Sequence, residues 1–168
     1  MRTPQGVMFL GSLEETLKGR LKGRVTCVGV GNTWKGDDGA GPELTGRLQG
    51  RVRAELIDSG EVPESYLGRI EESRPDTIVF LDVAEMGASP GEVAIIEGDQ
   101  LREVSFSTHR LSLALFMKYL ADSTGADVFL LAIQPKSIGL GERMSREVEE
   151  AVESLGGILE RILPGREI

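Results

Sequence analysis

With 168 residues the chain has room for one domain core and not for two. An apolar share of 40% together with 22 glycines is that of a globular protein rich in tight turns, which excludes disorder, collagen and coiled coil. Lys and Arg number 19 against 27 Asp and Glu, and the resulting net charge of −8 has the wrong sign for a protein that tracks phosphate backbones. In chain order, Val7-Met8-Phe9-Leu10 is too short an apolar run for a signal-peptide core, and no run of 18 apolar residues follows, so the chain is read as soluble. Leu13, Leu17 and Leu21 at i, i+4, i+8 predict an amphipathic helix over 12–22, with Ser12 and Glu15 at capping-box spacing. Val25 to Val30 is a β-branched run without polar alternation, the pattern of a strand buried on both faces. It contains the only cysteine, Cys27, which excludes an internal disulfide and fits a reducing cytoplasm.

A glycine-rich stretch from Gly31 to Gly41 leads into a helix over 42–49, and a second strand is predicted at 53–57, followed by a helix over 64–72. Thr77 to Val83 is the most hydrophobic run and is expected at the centre of the sheet. Gly87 to Gly91 turn the chain into a fourth strand at 93–96, and the connection is too short for a helical crossover, so an antiparallel pairing is expected. Thr108 is placed to cap an apolar helix over 110–122; a fifth strand at 128–133 and a last helix over 145–162 complete the chain. The alternation of strand and helix predicts an α/β protein. Its architecture is a three-layer αβα domain around a mostly parallel, mixed five-stranded sheet, with residues 1–23 as an N-terminal helical extension to a core over 24–168.

In open α/β sheets ligands bind at the carboxyl ends of the strands, and three polar positions fall there. Asp37 and Asp38 follow the first strand; Gly29-Val30-Gly31 begins a dinucleotide fingerprint, but Trp34 stands where its third glycine belongs and two carboxylates would repel a phosphate. The alternative for this pair is helix capping. Asp82 ends an apolar strand, where it can act at the sheet edge or bond the backbone of the following turn, and Glu85 lies three residues further on. His109, the only histidine, is expected at a helix N-terminus, where the dipole keeps the ring neutral and able to bind a metal. Two carboxylates and an imidazole would make an incomplete ligand set suited to nickel, zinc, cobalt or iron. No Gly-x-Ser-x-Gly elbow is present, and Cys27 inside a buried strand reads as a core residue.

The segments Val28-Gly29-Val30-Gly31-Asn32, Gly36-Asp37-Asp38-Gly39-Ala40-Gly41-Pro42, Leu81-Asp82-Val83-Ala84-Glu85-Met86-Gly87, Pro90-Gly91-Glu92, Thr108-His109 and Ile133-Gln134-Pro135 together resemble the maturation endopeptidases of nickel-iron hydrogenases. Order and spacing match over about residues 24–160. The resemblance is greatest to the branch serving formate-hydrogenlyase-type and other membrane-bound hydrogenases. It implies an endopeptidase that removes the C-terminal extension of a nickel-loaded large-subunit precursor. Asp38, Asp82 and His109 carry over as the metal-contacting and catalytic set, with nickel supplied by the substrate and no organic cofactor. The metal either polarises a water or the scissile carbonyl, or only anchors the bond while Asp38 or Asp82 serves as general base. A monomer without nucleic-acid or membrane partners is expected. Glu85 and Trp34 depart from the family's usual residues, and residues 1–23 precede its usual start. Two other readings are open to the residues: a non-proteolytic α/β module or chaperone that senses the metallated subunit, and an Asp-dependent phosphohydrolase, for which Lys35 is the only cation in the first loop.

Overall fold

A computed structural model describes residues 7–8, 10–101 and 108–165, with the side chains of 7–11 and 108–111 outside the described set. In chain order the elements are β1 (Val7–Met8), α1 (Leu10–Arg20), β2 (Val25–Gly29), α2 (Ala40–Leu48), β3 (Glu55–Asp58), α3 (Leu67–Glu72), β4 (Thr77–Val83), β5 (Val93–Glu97), α4 (Thr108–Thr124), β6 (Asp127–Ile133) and α5 (Arg146–Ile162). Short 3-10 turns at Gly36–Gly39, Pro63–Tyr66 and Gly98–Gln100 precede α2, follow β3 and follow β5. The sheet order is β1-β5-β6-β4-β2-β3. Strand β2 runs parallel to β3 and β4, and β4 runs parallel to β6. The five expected strands are all present, and β1 adds a two-residue strand antiparallel to β5 at the edge. As loop length predicted, β5 is antiparallel, but its partner is β6 rather than its predecessor β4, with Val93 opposite Ile133.

Alternation along the buried strands sends neighbouring residues into opposite layers. Val79 and Leu81 of β4 join Leu44 of α2 and Val152, Leu155 and Leu159 of α5 in one core cluster. Ile78 and Phe80 join Ile70 of α3 and Leu113, Phe116 and Leu120 of α4 in the other, with the Phe80 and Phe116 rings edge to face at 6.1 Å. Helices thus cover both faces, which is what allows β4 to be apolar without alternation. Among the described residues no helix is long and apolar enough to cross a membrane.

The N-terminal helix belongs to this core. Leu13, Leu17 and Leu21 are buried in the same cluster as Cys27 and Leu159. It starts at Leu10, so Ser12 lies inside the helix rather than capping it, and the Ser12 carbonyl accepts a bond from Thr16 Oγ1 at 3.0 Å. At the helix end Arg20 donates to Glu97 and Asp127 and lies over the Phe129 ring at 4.2 Å. The Asp127 bond, aided by Glu97, holds the guanidinium even more firmly charged than usual. That cluster fastens α1 to the amino edge of the sheet, opposite the edge where the aspartates lie.

Cys27 lies fully inside the sheet, where burial pushes its thiol up to about 12. An unfolded thiol ionises near pH 8.5, so the stability this burial contributes is fully present below that pH and is lost as pH rises through the folded value. Iodoacetamide at pH 9 is therefore expected to alkylate native protein at least about 100-fold more slowly than denatured protein, since the thiolate forms only on opening. Mass spectrometry over a time course checks this.

Candidate active site

From β2 the chain passes to β3 on one side, then crosses back to β4 on the other side of β2. The carboxyl ends of β2 and β4 therefore bound the point where the winding reverses, the position at which open α/β sheets leave a crevice for ligands. Asp38 follows β2 and Asp82 is the penultimate residue of β4, so the two flank this point. The backbone is packed tightly here. A Cβ on Gly41 would stand 2.2 Å from the Leu81 carbonyl oxygen and 2.5 Å from that of Val30, so only glycine lets α2 start directly on the ends of both strands. Gly31, at φ 142°, allows the loop to fold back until its absent Cβ would meet the Asp38 carbonyl oxygen at 1.9 Å.

Asp38 is half-buried in the 3-10 turn that packs against β4. Its Oδ2 accepts from the Asn32 amide at 2.9 Å, and among the described residues its other oxygen accepts no hydrogen bond. Neither member of the acidic pair caps the following helix: the N-cap of α2 is Gly39, without a side-chain bond. Asp82 is 5% exposed, and its Oδ1 accepts from the Val83 amide at 2.7 Å. Being two residues after Phe80, it shares that residue's sheet face, the face covered by α4, and stands roughly 7 Å nearer the carboxyl edge. His109 lies in the first turn of α4, its backbone two turns and roughly 10 Å N-terminal to Phe116, the partner of Phe80. Its side chain, and that of the expected cap Thr108, lie outside the described residues. Among the described residues no three His, Cys, Asp or Glu side chains group closely enough to hold a metal ion.

Two residues around this edge have roles that their sequence positions did not specify. Asp37 is fully buried, and its carboxylate accepts from the amides of Lys136, Ser137 and Ser145 at 2.8, 3.1 and 2.6 Å and from Ser145 Oγ at 2.9 Å. It ties the first loop to the segment between β6 and α5 and to the N-cap of α5, Ser145. Gln134, directly after β6, is 3% exposed. Its Oε1 accepts from the Met86 and Ala88 amides at 2.7 and 3.3 Å, and its Nε2 donates to Glu85 Oε1 at 3.0 Å and to the Pro135 carbonyl. It fixes the loop that continues from Asp82. The signal for Gln134 was a polar residue ending an apolar strand. For Asp37 the signal was its place in the acidic pair after the first strand, which did not say which member would be buried.

Lys35, the cation a phosphohydrolase would need, pairs with Glu61 at 3.6 Å. The family model described as hydrogenase maturation protease, HycI, matches residues 41–162. A hydrogenase 3 maturation protease of Escherichia coli K12 is 35% identical over 129 residues, spanning 75% of this chain and 82% of that protein. The crystal structure of the NiFe hydrogenase maturation protease HycI from Thermococcus kodakarensis superposes with a TM-score of 0.80 at 34% identity, covering 90% of this chain and 98% of that one. The solution structure of the endopeptidase HycI from Escherichia coli gives 0.75 at 31% identity, over 83% and 90% of the two chains. Sequence and fold agree over four fifths or more of each of these relatives, so the non-proteolytic and phosphohydrolase readings fall away: the chain belongs to the hydrogenase maturation protease family and is a hydrolase of peptide bonds.

Proposed function

We propose that this protease removes the C-terminal extension of a nickel-iron hydrogenase large-subunit precursor in the cytoplasm, acting as a monomer, and that nickel already bound to the precursor is what it recognises. The observation that carries the reading is the placement of Asp38 and Asp82 on either side of the winding reversal, with α4 and His109 beginning at the same edge. Two carboxylates and one imidazole leave a metal shell incomplete, so a metal held by the substrate would tether the scissile bond to this edge. Bond cleavage then needs a water delivered to the carbonyl carbon and a base to take its proton. Asp38 is the better candidate, because its Oδ2 is held by the Asn32 amide while its second oxygen can face the water. A positioned base of this kind accelerates reaction by about 100- to 10,000-fold. As the carbonyl carbon becomes tetrahedral and then collapses, the proton passes from the carboxyl to the departing amine.

The test is incubation of the purified protein with nickel-loaded and nickel-free precursor, read by intact mass. A single C-terminal mass loss, seen only with the loaded precursor and not with casein, is the expected outcome. Equal cutting of both forms, or digestion of casein, overturns nickel recognition.

A further inference from the structure

The loops that frame the candidate site carry large apolar side chains turned to water. Trp34 is 76% exposed, Leu140 78% and Ile138 53%. The loops that bear them run side by side: the Gly141 amide donates to the Trp34 carbonyl at 2.8 Å, and the Asp37 amide to that of Ser137 at 2.9 Å. The buried Asp37 carboxylate described above locks the same two segments together. Surface loops without a core of their own are ordinarily mobile, whereas this pair is held by a charged, fully bonded group at its base. Of the nearby cations, Lys35 pairs with Glu61 at 3.6 Å and Lys136 with Glu147 at 3.0 Å, while Arg143 lies exposed at the end of the same segment. The largest groups the rim turns to a partner are thus an indole and two aliphatic side chains on a fixed frame.

We propose that Trp34, Ile138 and Leu140 form the surface on which the protein substrate docks, taking an aliphatic stretch of the precursor polypeptide. This rests on the protease reading above. The occupant follows from position: Trp34 is four residues before Asp38 in the same loop, so a polypeptide held at Asp38 continues over this rim within a few residues of its own length. Exposed apolar patches on rigid frames mark interaction sites, and tryptophan is enriched among the residues that dominate binding. Holding the rim in place before binding removes part of the ordering entropy of association.

Trp34 is the only tryptophan, so fluorotryptophan incorporated biosynthetically gives one fluorine NMR resonance from this site. On titration with nickel-loaded precursor that resonance should move. The double variant Trp34→Ala with Leu140→Ala should raise KM by about 30-fold with kcat within about two-fold of the parent, and restoring an aromatic as Trp34→Phe should recover most of the loss. Both side chains are exposed, so thermal unfolding should stay within about two degrees of the parent. An unmoved resonance with unchanged KM, while the parent still processes precursor, overturns the docking surface alone. A parent that cuts no precursor overturns the protease reading and the proposal with it. A resonance that moves with the protein's own concentration, accompanied by dimers in sedimentation, shows a self-association face and also overturns the proposal.

Discussion

Asp38→Asn, Asp82→Asn and His109→Ala are each expected to lower precursor processing by at least about 100-fold, with midpoints of thermal unfolding within a few degrees of the parent. Among the described residues Asp38 accepts a single hydrogen bond, from the Asn32 amide to Oδ2 at 2.9 Å, and an asparagine carbonyl oxygen can accept the same bond. On Asp82, an asparagine carbonyl oxygen can likewise keep the bond from the Val83 amide. An amide preserves these contacts but is a far poorer base and metal ligand than a carboxylate, so chemistry fails while the fold stands. Single-turnover cleavage assays paired with calorimetry separate the two quantities. Parental processing in all three variants refutes the site assignment.

Asp37→Asn is expected to show the opposite balance, a loss of stability of about 3–5 kcal/mol and a midpoint lowered by roughly 6–20 °C. Its two oxygens receive four donors in full burial. An asparagine retains one oxygen. If that oxygen keeps the Lys136 and Ser137 amides, the new NH2 group faces the Ser145 amide, leaving two buried donors opposed and one charge-assisted bond gone. Ser145 is the N-cap of α5, so the damage spreads to the start of that helix. Denaturant titration followed by circular dichroism measures the loss, and an unchanged midpoint would show that the clamp carries little energy. The pair Asp37 and Asp38 thus divides into a residue that holds the loop and a residue placed at the crevice.

This division marks the limit of what the residues alone could tell. Local composition was enough for β4: a strand covered by helices on both faces must be apolar throughout, so Thr77 to Val83 declared its type, both its ends and its central place. The same logic located Asp82, because a carboxylate closing such a run has only the sheet edge to occupy. Leu13, Leu17 and Leu21 likewise announced a helix by spacing, though not the core that receives them, since Leu155 and Leu159 lie far along the chain. Neither the partner of β5 nor the two-residue strand β1 was legible. Loop length requires β5 to turn back but does not say which edge it joins, and two residues are too few to show a period. Asp37 and Asp38 are chemically identical neighbours, and nothing local distinguishes them. The choice was made by Lys136, Ser137 and Ser145, about a hundred residues away, which reach Asp37 only after β6 has paired with β4 and α5 has packed on the sheet. Which of two adjacent carboxylates is buried depends on donors brought by the tertiary fold, and a carboxylate enters the interior only where such donors await it.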